Sequence, residues 1–179
     1  MKKIILLAFL AAVQFCSFGQ NTMKFLGIPI DGTKEQMISA LKNKGYTYDV
    51  KNDILEGEFN GQNVNILIKT NKNKVCRICV YNSVPIRDEA TVRINFNNLY
   101  NQFMCNGKYS YVAGKEIPDD ENISHGITLY KKRYEADFVP VDKSVNGSVW
   151  FVIHEWSSGE YAIPIFYENG DNMANGDDL

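Results

Sequence analysis

The stretch Val64-Asn65-Ile66-Leu67-Ile68-Lys69-Thr70-Asn71 decides the fold, because its side chains alternate along the chain. Alternation with a period of two is typical of a β-strand with one buried face. Val64, Ile66 and Ile68 are predicted to face the core, and the opposite face takes Asn65, Lys69 and Asn71. The stretch therefore predicts a sheet that buries one side only.

The residues around this strand predict a helix followed by a run of hairpins. Thr33 and Gln36 have the spacing of a capping box, and Met37, Ile38 and Leu41 lie on one helical face, so a helix is expected over residues 34–44. The predicted strands of this first half are residues 46–50, 54–59, 64–70 and 75–81. The Asn60-Gly61 pair and a polar turn at residues 71–73 are expected to join the last three of them.

The second half of the chain repeats this order. An apolar stripe ending near Gly107 predicts a second helix through Val92, Phe96, Leu99 and Phe103. The predicted strands that follow are residues 109–112, 127–139, 148–156 and 161–167. We therefore expect an α+β protein of tandem helix-plus-four-strand repeats, at about residues 25–82 and 86–167, with an antiparallel sheet and helices packed on one face.

Both ends of the chain differ from this single domain of residues 20–167. Lys2 and Lys3, an apolar run over residues 4–13 and small residues before Gln20 are typical of a secretory signal peptide, residues 1–19. The run is too short for a transmembrane segment, so we expect export to the periplasm or the extracellular space. A lipid anchor at Cys16 is the alternative, disfavoured because the bulky Phe15 precedes it. Residues 168–179 are polar and are expected to form a disordered tail.

The composition excludes several classes of protein. The chain has 19 basic and 21 acidic side chains, a formal net charge of −2, which argues against electrostatic binding to nucleic acid and against a polybasic membrane anchor. Hydrophobic residues make up 45% of the chain, which excludes general disorder.

No motif indicates a metal, a cofactor or a catalytic centre. Cys76 and Cys79 form a C-x-x-C pair, but on a strand residues three apart point to opposite faces, so the two thiols are not expected to converge. We predict no cofactor. A thiol- or carboxylate-dependent hydrolase stays open as an alternative, with Cys105 as a nucleophile beside His125 or His154.

One face of the second half carries the candidate binding residues. Transferring the alternation of residues 64–71 to residues 149–153 places Val149, Phe151 and Ile153 inward. Aligning Tyr167 with Tyr81 turns the last strand outward as well. The candidate site then comprises Trp150, His154, Trp156, Tyr161, Tyr167, Glu135 and Asp137. This face is either a recognition surface for a protein, peptide or glycan, or a face covered by a helix, the other repeat or a second subunit.

Two resemblances accompany these patterns. Residues 25–31, 117–124 and 130–138 resemble a family of uncharacterised exported proteins of bacteroidete-type bacteria. The duplicated helix-plus-four-strand plan resembles the tandem repeat of β-lactamase-inhibitor-protein-like domains. The first resemblance implies export without a known activity, and the second implies architecture alone. We therefore expect an exported, non-enzymatic binding or inhibitor-like protein, with a hydrolase and a structural homodimer of the cell envelope as alternatives.

Overall fold

The computed structural model describes residues 21–173. The predicted signal peptide, the alternative anchor at Cys16 and the last six residues of the chain lie outside this range.

Residues 21–173 form three α-helices and a large antiparallel sheet. The helices are α1 (Lys34–Lys42), α2 (Glu89–Met104) and α3 (Ile123–Thr128). The strands of the first half are β1 (Lys24–Phe25), β2 (Ile28–Pro29), β3 (Thr47–Asp49), β4 (Ile54–Phe59), β5 (Gln62–Asn71) and β6 (Lys74–Asn82). Those of the second half are β7 (Tyr109–Ala113), β8 (Glu135–Pro140), β9 (Gly147–Val152), β10 (His154–Ser157), β11 (Glu160–Ala162) and β12 (Ile165–Asn169).

The main sheet has eight strands in the order β3-β4-β5-β6-β12-β9-β8-β7. Every neighbouring pair in it is antiparallel. The strands β1 and β2 form a separate hairpin, and so do β10 and β11. The α+β class is therefore confirmed, and β6 and β12 join the two halves of the chain at the centre of the sheet.

Both long helices begin and pack as the sequence indicates. The capping box of Thr33 and Gln36 starts α1, and the Asp88 carboxylate accepts a hydrogen bond from the Thr91 backbone at the start of α2. The predicted stripe of α2 is buried: Val92, Phe96, Leu99 and Phe103.

The core lies on one face of the sheet, where cross-strand partners form continuous apolar rows. One row consists of Leu55, Ile66, Val80, Ile165, Phe151 and Ala136. The next consists of Ile68, Ile78, Tyr167, Val149 and Phe138. Phe96 of α2 meets Phe151 at 5.1 Å between ring centroids, and buried residues of all three helices belong to the same cluster. We call this the core face, and the opposite side of the sheet the outer face.

The predicted strand over residues 127–139 is wrong in its first part. The Asn122 side chain accepts a hydrogen bond from the His125 backbone and so starts α3. Gly126 is buried there against Tyr134, whose hydroxyl would meet an added Cβ at 1.9 Å. The first residues of this segment therefore belong to the short helix α3, and the strand begins only at Glu135.

The two predicted strands over residues 148–156 and 161–167 are each broken in the middle. Pro164 has no backbone N–H to continue a ladder, and its carbonyl accepts from the Val152 N–H at 3.4 Å. The Ile153 N–H donates instead to the Tyr134 carbonyl at 2.9 Å. Beyond these points β10 and β11 leave the main sheet as their own hairpin.

The main sheet also extends further toward the C-terminus than expected. Glu168 and Asn169 belong to β12, and a 3-10 turn follows at Gly170–Asn172. Asn169 is 2% exposed, and its side-chain amide donates to the Ile30 carbonyl at 2.8 Å. The start of the predicted polar tail is therefore part of the fold.

Candidate ligand-binding groove

A row of side chains crosses the outer face of five adjacent strands. Cross-strand pairing places Leu67, Cys79, Phe166, Trp150 and Asp137 next to one another, in that order, on β5, β6, β12, β9 and β8. Cys79 is buried, and the other four are half-buried. The row is apolar at one end and ends on a carboxylate at the other.

Trp150 is held in place by both of its neighbours on β12. Its ring stacks on Phe166 with centroids 3.9 Å apart, and its indole N–H donates to the Glu168 carboxylate at 2.9 Å. Arg77 forms an ion pair with the same carboxylate at 2.7 Å, and its guanidinium lies 5.6 Å from the Phe166 ring centroid. The two rings are therefore fixed by packing and by charge-assisted hydrogen bonding before any ligand arrives.

The row of side chains with the Trp150–Phe166 stack forms a floor, and the hairpin of β10 and β11 forms a wall beside it. Trp156 is 56% exposed, with its ring centroid 6.1 Å from that of Tyr81. His154 is also exposed and meets Trp156 edge to face at 5.0 Å. Residues Ile127, Lys132 and Arg133 line the space from the segment before β8. The volume of this open groove is about 600 Å³, and we call it the outer groove.

Two carboxylates continue the outer face beyond the groove. Asp137 pairs with Trp150 across the strands, and Glu135 pairs with Val152. Burial raises the pKa of Asp137, and the neighbouring Glu135 raises it further. Arg133 forms an ion pair with Glu135 at 2.6 Å. This edge therefore holds one carboxylate with a cationic partner and one that is partly desolvated.

Five of the seven predicted binding residues lie on or beside this surface. Trp150, His154 and Trp156 line the outer groove, and Glu135 and Asp137 extend the same face. The inward positions predicted for Val149, Phe151 and Ile153 are confirmed, since all three are buried.

The outward placement of Tyr161 and Tyr167 is wrong. Tyr161 is 1% exposed and Tyr167 is 7% exposed, and Tyr167 pairs with the inward residues Val149 and Ile78. The alignment of Tyr81 with Tyr167 spans 86 residues, one more than the 85 between Val64 and Val149. Because strand faces alternate at every residue, that single step inverts the face of the whole strand.

The predicted site lacks five residues of the outer-face arrangement: Leu67, Arg77, Cys79, Phe166 and Glu168. Alternation within each strand places them opposite the core, so a correct register for β12 recovers their orientation. Their proximity to Trp150 depends on the pairing of β6 with β12, which joins strands almost 90 residues apart and leaves no local signal in the sequence.

The three cysteines of residues 21–173 form no disulfide. Cys76, Cys79 and Cys105 are all unpaired, and burial raises the pKa of Cys79 to about 11. Cys105 is exposed at the end of α2, and within the described chain no side-chain hydrogen bond joins it to His125 or His154. Within the same residues, no three His, Cys, Asp or Glu side chains lie close enough together to hold a metal ion.

Comparisons with known proteins add no assignment. Family models, curated proteins and solved structures yield no match to this chain. No helix within residues 21–173 has the length and apolarity needed to cross a membrane.

Proposed function

We propose that this is an exported, non-enzymatic binding or inhibitor-like protein whose ligand occupies the outer groove. The observation that supports the proposal is the fixed Trp150–Phe166 stack on the floor, beside Trp156, which is 56% exposed on the wall. Aromatic rings supply contact area at low entropic cost, and they are enriched among the residues that dominate binding energies. The ligand class is a protein, a peptide or a glycan.

The charges around the groove support a ligand with both apolar and polar groups. Lys132 and Arg133 stand on one side, and Glu168 lies at the edge of the aromatic floor, where it is already paired with Arg77. A polar rim around an apolar centre is typical of protein interaction sites. Strong net attraction for either sign of charge is not expected, because Lys132 and Arg133 are already paired with Glu121 and Glu135.

We also propose that the two halves of the chain are tandem repeats. In each half a helix precedes four strands, and these strands follow chain order from an outer edge of the sheet to its centre. The hairpin of β10 and β11 is then an insertion before the last strand of the second repeat. This arrangement is the one that the resemblance to β-lactamase-inhibitor-protein-like domains implies.

A homodimer is the second candidate, because it would bury the same aromatic surface. Exposed apolar clusters often mark contacts between subunits. Sedimentation of the protein starting at Gln20 tests this directly. A stable dimer that Trp156→Ala splits would assign the groove to self-association.

Capture experiments test the leading proposal. The protein is immobilised and exposed to envelope extract and to a glycan array, beside Trp150→Ala, Trp156→Ala and the control Met104→Ala. Met104 is 48% exposed on α2 and does not line the groove. We expect both tryptophan variants to lose the partner and the control to keep it.

Two results would overturn this function. A partner retained by both tryptophan variants would remove the groove from recognition. Turnover in a hydrolase panel that Cys105→Ala abolishes would replace a binding protein with a thiol-dependent hydrolase.

A further inference from the structure

A second cavity lies on the core side of the sheet, away from the outer groove. It has a volume of about 900 Å³ and runs between the β1–β2 hairpin, the C-terminal part of α2 and the start of β7. Five aromatic side chains line it: Phe25, Phe59, Phe103, Tyr109 and Tyr167. We call this cavity the inner cleft. Its volume is within the usual range for small-molecule sites.

The wall of the inner cleft is built from packed rings. Phe25 contacts Phe59 at 5.5 Å between centroids and Tyr167 at 5.0 Å, while Phe103 contacts Tyr109 at 5.3 Å. These residues come from the hairpin, β4, α2, β7 and β12. A cavity shaped by five separate elements is formed by the completed fold rather than by one mobile side chain.

Tyr167 carries the observation that points to a ligand. Its side chain is 7% exposed, yet its hydroxyl has no hydrogen-bond partner within residues 21–173. Tyr46 has the same 7% exposure, and its hydroxyl donates to the Glu58 carbonyl at 2.8 Å. The Tyr167 hydroxyl is not among the buried unpaired polar atoms of residues 21–173. The buried ring therefore holds an unbonded hydroxyl that is open to the inner cleft, where it is free to donate to a ligand.

Tyr109 repeats this feature in the lining of the inner cleft. It is half-buried, burial raises its pKa, and its hydroxyl also lacks a hydrogen-bond partner among the described residues. Two phenolic donors therefore border one apolar space. A phenol donates readily to a carbonyl, ether or hydroxyl oxygen.

The charged side chains near the opening favour neither a cation nor an anion as the ligand. Lys24 and Lys108 line the inner cleft together with Glu58 and Asp142, so two bases balance two acids. An aromatic interior disfavours a buried charge. Both observations favour a neutral molecule.

We propose that the inner cleft binds a small, neutral, largely apolar molecule whose oxygen accepts a hydrogen bond from the Tyr167 hydroxyl. Tyr109 supplies the second donor, and the phenylalanine rings hold the apolar body of the ligand. The site is independent of the outer groove and of its proposed partner.

The test uses Prodan, a neutral naphthyl ketone whose fluorescence reports the polarity around its carbonyl. We expect saturable binding with a blue shift in the wild-type protein. Tyr167→Phe should weaken Prodan binding roughly five-fold, the effect of one lost neutral hydrogen bond. It should leave the affinity for 2-dimethylaminonaphthalene, which has no carbonyl, unchanged. Trp156→Ala, in the outer groove, should leave Prodan binding unchanged.

Thermal melts of the ligand-free protein provide a second measurement. Tyr46→Phe should lower the melting temperature because it removes an existing hydrogen bond, whereas Tyr167→Phe should leave it unchanged or raise it. Equal Prodan affinity in the wild type and Tyr167→Phe, binding lost with Trp156→Ala, or no saturable binding would overturn the proposal. A fall in the melting temperature of Tyr167→Phe to match that of Tyr46→Phe would overturn it as well, since the hydroxyl would then be satisfied without a ligand.

Discussion

Trp150 and Phe166 lie directly opposite each other on neighbouring strands of the outer face, and their rings stack at 3.9 Å with an interplanar angle of 18°. The pair lies at the middle of the row that crosses the sheet from Leu67 to Asp137. Because β12 joins the two halves of the chain, this stack connects the candidate ligand site to the centre of the fold.

The stack predicts measurable coupling between the two rings. A double-mutant cycle with Trp150→Leu and Phe166→Leu should give a coupling free energy of about 0.5–1.5 kcal/mol in urea unfolding. The same cycle with Trp150→Leu and Met104→Leu should give about zero, because no ring contact joins those residues. A coupling near zero for the first pair would show that the stack does not stabilise the fold.

Gly57 is predicted to be required by the packing of Tyr46. A Cβ at Gly57 would lie 2.5 Å from the Tyr46 ring, whose hydroxyl is fixed to the Glu58 carbonyl. Gly57→Ala should therefore lower the free energy of unfolding by about 1–3 kcal/mol. Gly107→Ala is the matched control, because a Cβ there meets nothing within 4 Å, and it should change stability by about 0.5 kcal/mol or less.

Asp137 is predicted to make stability depend on pH. Burial and Glu135 raise the pKa of Asp137 in the folded protein, so folding favours the protonated carboxyl. Its contribution to the free energy of unfolding is therefore complete below the unfolded pKa of about 3.9 and is lost as the pH rises through the folded pKa. Asp137→Asn should therefore raise the melting temperature at pH 7 and have little effect at pH 3.

Asp142 provides a control of opposite sign for this titration. Hydrogen bonds from the Ser144 side chain and backbone lower the pKa of Asp142, so its contribution is present above the unfolded pKa and is lost as the pH falls. Asp142→Asn should lower the melting temperature at pH 7 and approach the wild type at pH 3. Destabilisation by Asp137→Asn at pH 7 would mean that the pairing of Arg133 with this edge outweighs desolvation.

The three thiols are predicted to differ in reactivity. Cys105 is exposed, whereas Cys76 and Cys79 are buried, and burial raises the pKa of Cys79 to about 11. Ellman's reagent at pH 8 should therefore modify one thiol of the folded protein starting at Gln20, and three after unfolding in guanidinium. Cys105→Ser should abolish the reaction in the folded state. Fast reaction of a second thiol would contradict the burial of Cys76 and Cys79, and its loss in Cys79→Ser would show that the outer groove admits the reagent.

Export is predicted to leave a mature N-terminus at Gln20. Intact-mass measurement of the protein from envelope and medium fractions should give the mass of residues 20–179, or that mass less ammonia after cyclisation of Gln20. A diacylglycerol-modified Cys16 would instead place the protein on a membrane.

Local patterns in the sequence were sufficient to predict the strands and helices that bury one face. The alternation of Val64, Ile66 and Ile68 and the apolar stripe of α2 specify which side chains are inward, because each depends only on the repeat of its own backbone. The same alternation was enough to predict that Trp150 faces outward. The sequence by itself thus determined the α+β class and the inward side chains of β5, β9 and α2.

The tertiary structure decided which strands meet. Pairing of β6 with β12 brings Arg77 and Cys79 beside Phe166 and Glu168, and the break at Pro164 turns Trp156 and His154 onto a separate wall. It also decided that Tyr167 belongs to the core face, because the pairing partners of β12 fix a register that a one-residue error in alignment inverts. Local periodicity carries no information about distant partners, so both cavities exist only once the two halves of the sheet have joined.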